Sequence, residues 1–368
     1  MSIEIGIIGL PKSGKSTIFS GLTRGKGESS GHSPKGMEAH IGVTPIPEPR
    51  LEILAGILFP QKVVSVEARY IDLGASLKSL VEDKGIGGKL LNELSNVNEL
   101  INVVRSFPDD SVPHVEGNLN IDRDITAMNL ELAFSDLAIM ERRLKKIEIA
   151  LKGAKQAERS GYLHEQSLLM KLKAVLENEV PIRELQITPE EAKAITSYQF
   201  LTEKPLLIVV NMGESEIARA EALEAELNAK YAQPRRRVVT LCGKLEMELA
   251  QLDETAAREF RLEYGMKESG LDRVIKTSYE LLGLITFFTI ASNEVRAWSI
   301  PAGTTALKAA GKIHTDMERG FIKAEVISLN DMVRSGSIAE ARKHGILRQE
   351  GKTYEVQDGD VITFMFNV

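Results

Sequence analysis

The chain has one cysteine and one tryptophan in 368 residues, and aromatic side chains make up only 5%. A single thiol, Cys242, excludes an internal disulfide and suits a reducing compartment. No apolar run approaches the ~20 residues that a membrane-spanning helix needs. The N-terminus passes directly into the apolar run Ile3-Glu4-Ile5-Gly6-Ile7-Ile8, so no signal peptide is expected there. Positive charge is not in excess either. The 46 basic and 52 acidic residues give a net charge of −6. The chain as a whole therefore has no electrostatic pull toward nucleic acid or an anionic membrane, and any RNA contact would need a local basic face. What remains is 43% hydrophobic and 27% charged. That is the composition of a soluble globular protein, expected in the cytoplasm and long enough for two or three domains.

The strongest local signal is Gly9-Leu10-Pro11-Lys12-Ser13-Gly14-Lys15-Ser16-Thr17, which fits the phosphate-loop pattern G-x-x-x-x-G-K-[ST]. The apolar run before it reads as a buried strand, and Ile18, Phe19 and Leu22 continue it as a helix. Strand, glycine loop and helix N-terminus together make a nest of backbone N–H groups for phosphate oxygens. In that chemistry Lys15 reaches the β- and γ-phosphates and the Ser16 hydroxyl binds Mg²⁺. A second strand, 64–73, ends at Asp72, a position from which P-loop enzymes hold Mg²⁺, often through water. Gly25 to Gly36 is polar and aperiodic, and reads either as a switch loop or as a solvated one.

The rest of the chain alternates in character. Pro45, Pro47 and Pro49 enforce an extended path into a short helix over 50–58. A helix over 89–97 and a strand over 100–107 follow. From Ile125, Leu130, Leu137, Leu144 and Leu151 recur at the heptad period, with Ala133, Met140 and Ile147 at the other seam position. Gly153 and Gly161 break this pattern. A second helix carries Leu169, Leu172, Leu176 and Val180, so the two read as an antiparallel hairpin. Thr188-Pro189-Glu190-Glu191 is a capping box with proline at the first helical position. Strands over 205–210 and 237–241 then resume an α/β domain, ending at Asn211 and at Cys242-Gly243-Lys244. Alternating strands and helices predict a mostly parallel sheet covered on both faces, with ligand at the carboxyl ends of its strands. After Gly283 the pattern becomes a small mixed domain. It contains a hairpin across 291–293, a strand over 321–327, and a second hairpin joining 354–356 to 361–366 around Gln357-Asp358-Gly359-Asp360.

Specific stretches give this organisation a family likeness. The Gly-Leu-Pro of the phosphate loop, 43–51, Asn129-Leu130-Glu131-Leu132-Ala133, Glu294 to Pro301, Ala310 to Asp316 and Arg319 to Ile322 resemble the YchF-type, or Obg-like, P-loop ATPases along the full chain. The resemblance implies three parts. A discontinuous G domain spans 1–124 and 199–282, an inserted α-helical hairpin spans 125–198, and a ubiquitin-like β-grasp (TGS) domain spans 283–368. It implies a protein that binds and hydrolyses ATP with Mg²⁺, prefers ATP to GTP, and meets the ribosome or ribosomal RNA; slow turnover and a monomer are expected besides. Lys308, Lys312, Arg319 and Lys323 are candidates for a local basic face. The implied nucleotide-binding set is Lys12, Ser13, Gly14, Lys15, Ser16, Thr17, Asn211, Met212, Glu214, Cys242 and Gly243, with Ser16 and Asp72 on the metal.

Asn211-Met212-Gly213-Glu214 stands where GTPases carry Asn-Lys-x-Asp, which disfavours guanine. By the same resemblance His114, in Pro113-His114-Val115-Glu116-Gly117, positions the attacking water; the alternative is an ordinary loop histidine. Two departures from the family bear on hydrolysis. Asp72-Leu73-Gly74-Ala75 replaces Asp-x-Ala-Gly, and Lys35 or Gly36 falls where a switch threonine is usual. A GTP-binding regulator and a nucleotide-sensing module with little hydrolysis remain alternatives.

Overall fold

The computed structural model describes residues 3–25, 27–29, 39–73, 86–109, 111–291 and 293–367. Gly74, Ala75, Lys35 and Gly36 lie outside the described residues. The chain divides into two compact units, Ile3–Thr44 with Arg69–Leu281, and Pro45–Ala68 with Leu282–Val368.

In chain order, β1 (Ile3–Ile8) leads into α1 (Lys15–Leu22), followed by β2 (Glu28–Ser29), β3 (Ala39–Pro45), α2 (Pro49–Leu58), β4 (Lys62–Val64) and β5 (Glu67–Leu73). Then come α3 (Ile86–Asn96), β6 (Glu99–Ser106), α4 (Ile121–Gly153), α5 (Gln156–Glu177), α6 (Pro189–Ile195), β7 (Leu206–Met212), α7 (Ala220–Tyr231) and β8 (Arg236–Leu241). The first unit ends with α8 (Gly243–Leu249), α9 (Glu254–Glu263) and α10 (Gly270–Leu281). Its sheet runs β2-β3-β5-β1-β6-β7-β8, with β1, β6, β7 and β8 paired in parallel. Every residue of β7 is buried, as a strand covered on both faces requires. The expected doubly covered sheet is therefore present, and its carboxyl ends carry the phosphate loop, Asp72, Asn211 and Cys242.

The inserted hairpin leaves this sheet through α4. Asn120 caps the helix by accepting from the Arg123 N–H at 2.9 Å, and Asp122 and Asp124 complement the dipole in its first turn. The first part of α4 packs Ile125, Met128 and Leu132 into the sheet's core, and the later part packs Met140 and Ile147 against Leu168, Leu169, Leu172 and Leu176 of α5. The heptad reading needs two corrections. Gly161 lies inside α5 without breaking it, and Val180 lies beyond its end and is exposed. Gly161 is exposed with open space around it, so nothing there forces a break. The capping box at Thr188 is formed as expected. Asp136 is fully buried and seats the hairpin by accepting from Leu201 N, Thr202 N and the Thr202 hydroxyl at 2.6–2.9 Å.

The second unit holds β9 (Leu284–Ala291), β10 (Glu294–Pro301), α11 (Ala306–Ile313), α12 (Thr315–Arg319), β11 (Phe321–Ser328), α13 (Leu329–Ser335), α14 (Ile338–Lys343), β12 (Arg348–Glu350) and β13 (Asp360–Phe366). The sheet order is β12-β11-β13-β9-β10-β4. β13 is parallel to β9 and antiparallel to β11, and β9–β10 is the expected hairpin, the arrangement of a ubiquitin-like β-grasp. Three expectations change here. Pro45–Ala68, expected in the nucleotide domain, belongs to this unit, where Leu51 and Leu54 join a core with Phe288 and Val295. Val64 belongs to β4, which pairs with β10, and not to the strand that ends near Asp72. The 354–356 segment does not pair with β13; Glu355 makes an isolated bridge with Thr305. The Asp358 carboxylate explains that outcome, because it accepts from Thr286 N and pairs with Arg50, turning the loop toward β9 and α2.

Candidate functional site

The phosphate loop is held open by its own backbone. Gly14 has φ +93°, and a Cβ there would lie 2.2 Å from the Asn211 amide nitrogen. Glycine alone meets both demands. Gly14 also stands at the N-cap of α1 without any side-chain cap, so the first N–H groups of that helix face outward, as an anion site requires. The Lys15 ammonium lies back on the loop, donating to Gly9 O at 2.9 Å and Leu10 O at 3.2 Å. Burial pushes its pKa down, and the carboxylates of Asp72 and Glu131 oppose that shift.

Ser16 and Asp72 come together as expected. The Ser16 hydroxyl donates to Asp72 Oδ2 at 2.9 Å, while Asp72 Oδ1 is buried with no hydrogen-bond partner among the described residues. Burial raises the Asp72 pKa, against the Ser16 hydrogen bond and the charges of Lys15 and His40. A hydroxyl and an unpartnered carboxylate oxygen are hard oxygen donors, the kind Mg²⁺ takes alongside phosphate and water. Among the described residues no group of three or more His, Cys, Asp or Glu side chains makes a metal cage.

Asn211 ties the loop to the next strand end. Its Nδ2 donates to Ser13 O at 3.1 Å, and its Oδ1 accepts from Gly243 N at 2.9 Å. Ser13, Gly14, Asn211 and Gly243 thus form one connected corner. Glu214 stands at its rim, paired with Lys244 at 3.1 Å. Met212 and Cys242, expected beside the base, are 2% and 3% exposed and pack with Leu245 and Leu249. Successive strand side chains point to opposite faces, so with Asn211 turned to the phosphate loop Met212 is turned away. Both line a cavity of about 360 Å³, with Ile217, Tyr264 and Met266, that includes no phosphate-loop residue. Lys12 takes the left-handed conformation at φ +66° and is exposed, and Thr17 is half-buried in the first turn of α1.

The hydrogen bonds made by the His114 ring go to its own loop and to α4. Its Nε2 lies 2.9 Å from Asp124 Oδ2 and its Nδ1 accepts from Glu116 N at 3.1 Å. Sequence reading missed Asp124 altogether. Glu131 carries no role within its motif, although its carboxylate acts on Lys15, and His40, which acts on Asp72, is not among the candidates. Spacing along α4 held a usable signal, since Asp124 and Glu131 are seven residues apart and share a helix face. His40 lies in a strand with no motif to mark it.

A strand–glycine loop–helix corner closed by a serine–aspartate pair and an asparagine strap defines a P-loop nucleotide-binding protein. Comparison with known proteins agrees over the whole chain. The family model YchF-GTPase_C, described as "Protein of unknown function (DUF933)", matches residues 284–367. A protein of Bacillus subtilis named "Ribosome-binding ATPase YchF" is 38% identical over 370 residues, covering all of both chains. Proteins of that name from Pasteurella multocida and Escherichia coli O157:H7 are 39% and 38% identical, again over both full lengths. The solved Schizosaccharomyces pombe YchF GTPase superposes with a TM-score of 0.80 at 27% identity, over 99% of this chain and 98% of that one. The chain belongs to the YchF family.

Proposed function

We propose that this chain binds and slowly hydrolyses ATP, in preference to GTP, and does so in the cytoplasm on the ribosome or ribosomal RNA. The ribosome enters through the names of the relatives; the chemistry rests on the corner around Gly14. The carrying observation is the strap Ser13–Asn211–Gly243 beside Glu214. Where a GTPase lays a lysine along the base, this chain has Met212 in the core. Where a GTPase presents an aspartate to guanine, Glu214 is one methylene longer and held by Lys244. Guanine would leave a donor unpaired there, at a cost of about 1–3 kcal/mol.

Bound triphosphate would take Lys15 from the carbonyls of Gly9 and Leu10 and receive the first N–H groups of α1. Ser16 and Asp72 would hold Mg²⁺, which neutralises charge on the β- and γ-phosphates. His114 would serve the attacking water. Its present engagement favours slow basal turnover, the feature shared with the nucleotide-sensing alternative. In domain terms we assign the inserted hairpin to 125–198 and the TGS domain to the unit built on 283–368, each offering a surface to RNA, with the chain a monomer.

Titration calorimetry with ATP and GTP tests the base preference, with ATP expected about tenfold tighter, a difference of ~1.4 kcal/mol. GTP binding tenfold tighter than ATP would overturn it. Co-sedimentation with ribosomes over a salt series tests the partner. Binding is expected to fall steeply with salt, because phosphate contacts release counterions. No sedimentation at low salt in any nucleotide state would refute it.

A further inference from the structure

The segment between β6 and α4 is knotted at both ends. Arg105, 3% exposed, donates to Phe107 O at 3.0 Å and to Val112 O at 2.7 Å, fixing the start. At the far end Arg123 donates to Asn118 Oδ1 and Asn118 O at 2.7 Å, and to Asp124 Oδ1 at 2.8–2.9 Å. Between them the His114 side chain is 5% exposed and the Asp124 side chain 3%.

Both ring nitrogens of His114 are in use. Because Nδ1 accepts the Glu116 N–H, the proton sits on Nε2 and is donated to Asp124 Oδ2. An imidazole that orients or deprotonates water needs one nitrogen facing that water. This one has none. The pair also differs from a nucleophile triad, in which the carboxylate holds one nitrogen and leaves the other to the reaction.

We propose that Asp124 is the latch of the histidine loop: it parks His114 against the start of α4, and breaking the His114–Asp124 hydrogen bond admits the imidazole to the nucleotide. This rests on the role proposed above for His114 in hydrolysis. Asp124 is a positioning residue and touches no reacting atom. Since α4 continues into the hairpin, a partner that moves the hairpin has a direct mechanical route to the latch. Arg123 stays on Asp124 after release, so the buried carboxylate keeps a partner in the open state.

The full chain is tested as Asp124→Asn, whose single amide oxygen is claimed by the two N–H groups of Arg123 so that the amide NH2 is turned against the His114 Nε2–H, with Arg123→Gln as a second variant that leaves the carboxylate in place and Asp124→Glu as the conservative one. Two readouts are taken. Modification of His114 by diethyl pyrocarbonate, followed by mass spectrometry, is expected to be slow in the wild type and at least several-fold faster in Asp124→Asn. Single-turnover ATP hydrolysis is expected to rise about tenfold in Asp124→Asn, the factor for one hydrogen bond lost from the parked state, with ATP affinity unchanged. Arg123→Gln should shift both readouts the opposite way, toward slower modification and slower hydrolysis, because opening would then leave the buried Asp124 carboxylate without its cation, and Asp124→Glu should return them toward wild type. The gain in rate should vanish in the His114→Ala background. A His114 that stays unreactive in Asp124→Asn overturns the latch, as does slower hydrolysis in that variant, which would make Asp124 an orienting partner. A freed, reactive His114 together with a His114→Ala variant that hydrolyses at the wild-type rate would keep the latch and remove the proposed role of His114.

Discussion

The phosphate loop and the histidine loop belong to the same unit and are built in opposite ways. The first spends its hydrogen bonds on shape. Gly14 holds a left-handed turn, Asn211 braces the loop from behind, and no side chain among the described residues caps the N–H groups in front. The second spends its hydrogen bonds on closure. Arg105, Arg123, Asp124 and the Glu116 N–H take up its polar groups, His114 included. A binding element works best when it is already in its final geometry, because nothing is then lost to reorganisation. A hydrolytic element that waits for a signal works best when its resting geometry is the wrong one. The contrast predicts a protein that binds nucleotide readily and turns it over slowly.

Substitutions in the braced loop should break the binding half of that contrast first. Gly14→Ala meets both the positive φ and the Asn211 amide. It is expected to lower ATP affinity by roughly 10²-fold or more, given about 1–3 kcal/mol of backbone strain plus the clash. Calorimetric titration reads it, and thermal unfolding separates it from global loss of structure. Asn211→Ala comes next, leaving Ser13 O and the Gly243 N–H without their partner. A stability loss of about 1–3 kcal/mol in urea unfolding is expected, with weaker ATP binding beside it. An unchanged midpoint would mean that the strap carries no energy.

Ser16→Ala sharpens the metal side. ATP affinity in Mg²⁺ should fall about tenfold, while affinity in EDTA stays within a factor of two, because only the metal-dependent contact is removed. Equal losses in both buffers would take Ser16 off the metal. The smallest effect on the site is expected from Glu99, at the opposite end of the same sheet. Burial pushes its pKa up to about 8, and the Ser278 hydroxyl, donating at 3.0 Å, only partly offsets this. The folded chain therefore keeps a proton that the unfolded chain has released. Stability from this group is fully present below pH ~4.5 and is lost as pH rises through about 8. Glu99→Gln should flatten that decline, gaining about 1–3 kcal/mol over wild type at pH 9 in urea unfolding, with ATP affinity unchanged. A wild-type stability independent of pH between 5 and 9 would refute it.

Much of this was legible from residues alone. The phosphate loop is a local structure, set by two glycines, one lysine and the strand and helix that flank it, so its motif is enough to place it. The capping box at Thr188 and the apolar strands were legible for the same reason. The seam of the hairpin was legible as a period, although Gly161 did not act as a breaker, since an exposed glycine lowers helix stability without forbidding the helix. What misled the reading were residues whose partners are remote in sequence. Val64 and its neighbours join a strand more than 200 residues later. The 354–356 segment has good hairpin chemistry but is outcompeted by Asp358 bonding to Thr286 and Arg50.

The sequence by itself determined that this is a P-loop protein with a helical insertion and a separate C-terminal domain, because those signals are periodic or contiguous and act over a few residues. Only the tertiary structure decided which side chains meet. Met212 turns into the core because Asn211 turns out of it, a matter of strand register. Pro45–Ala68 leaves the nucleotide unit because its apolar face finds Phe288 and Val295. His114 looks in sequence like a free loop residue, but Asp124 is folded onto it by the first turn of α4, and a buried carboxylate takes the donor that geometry gives it.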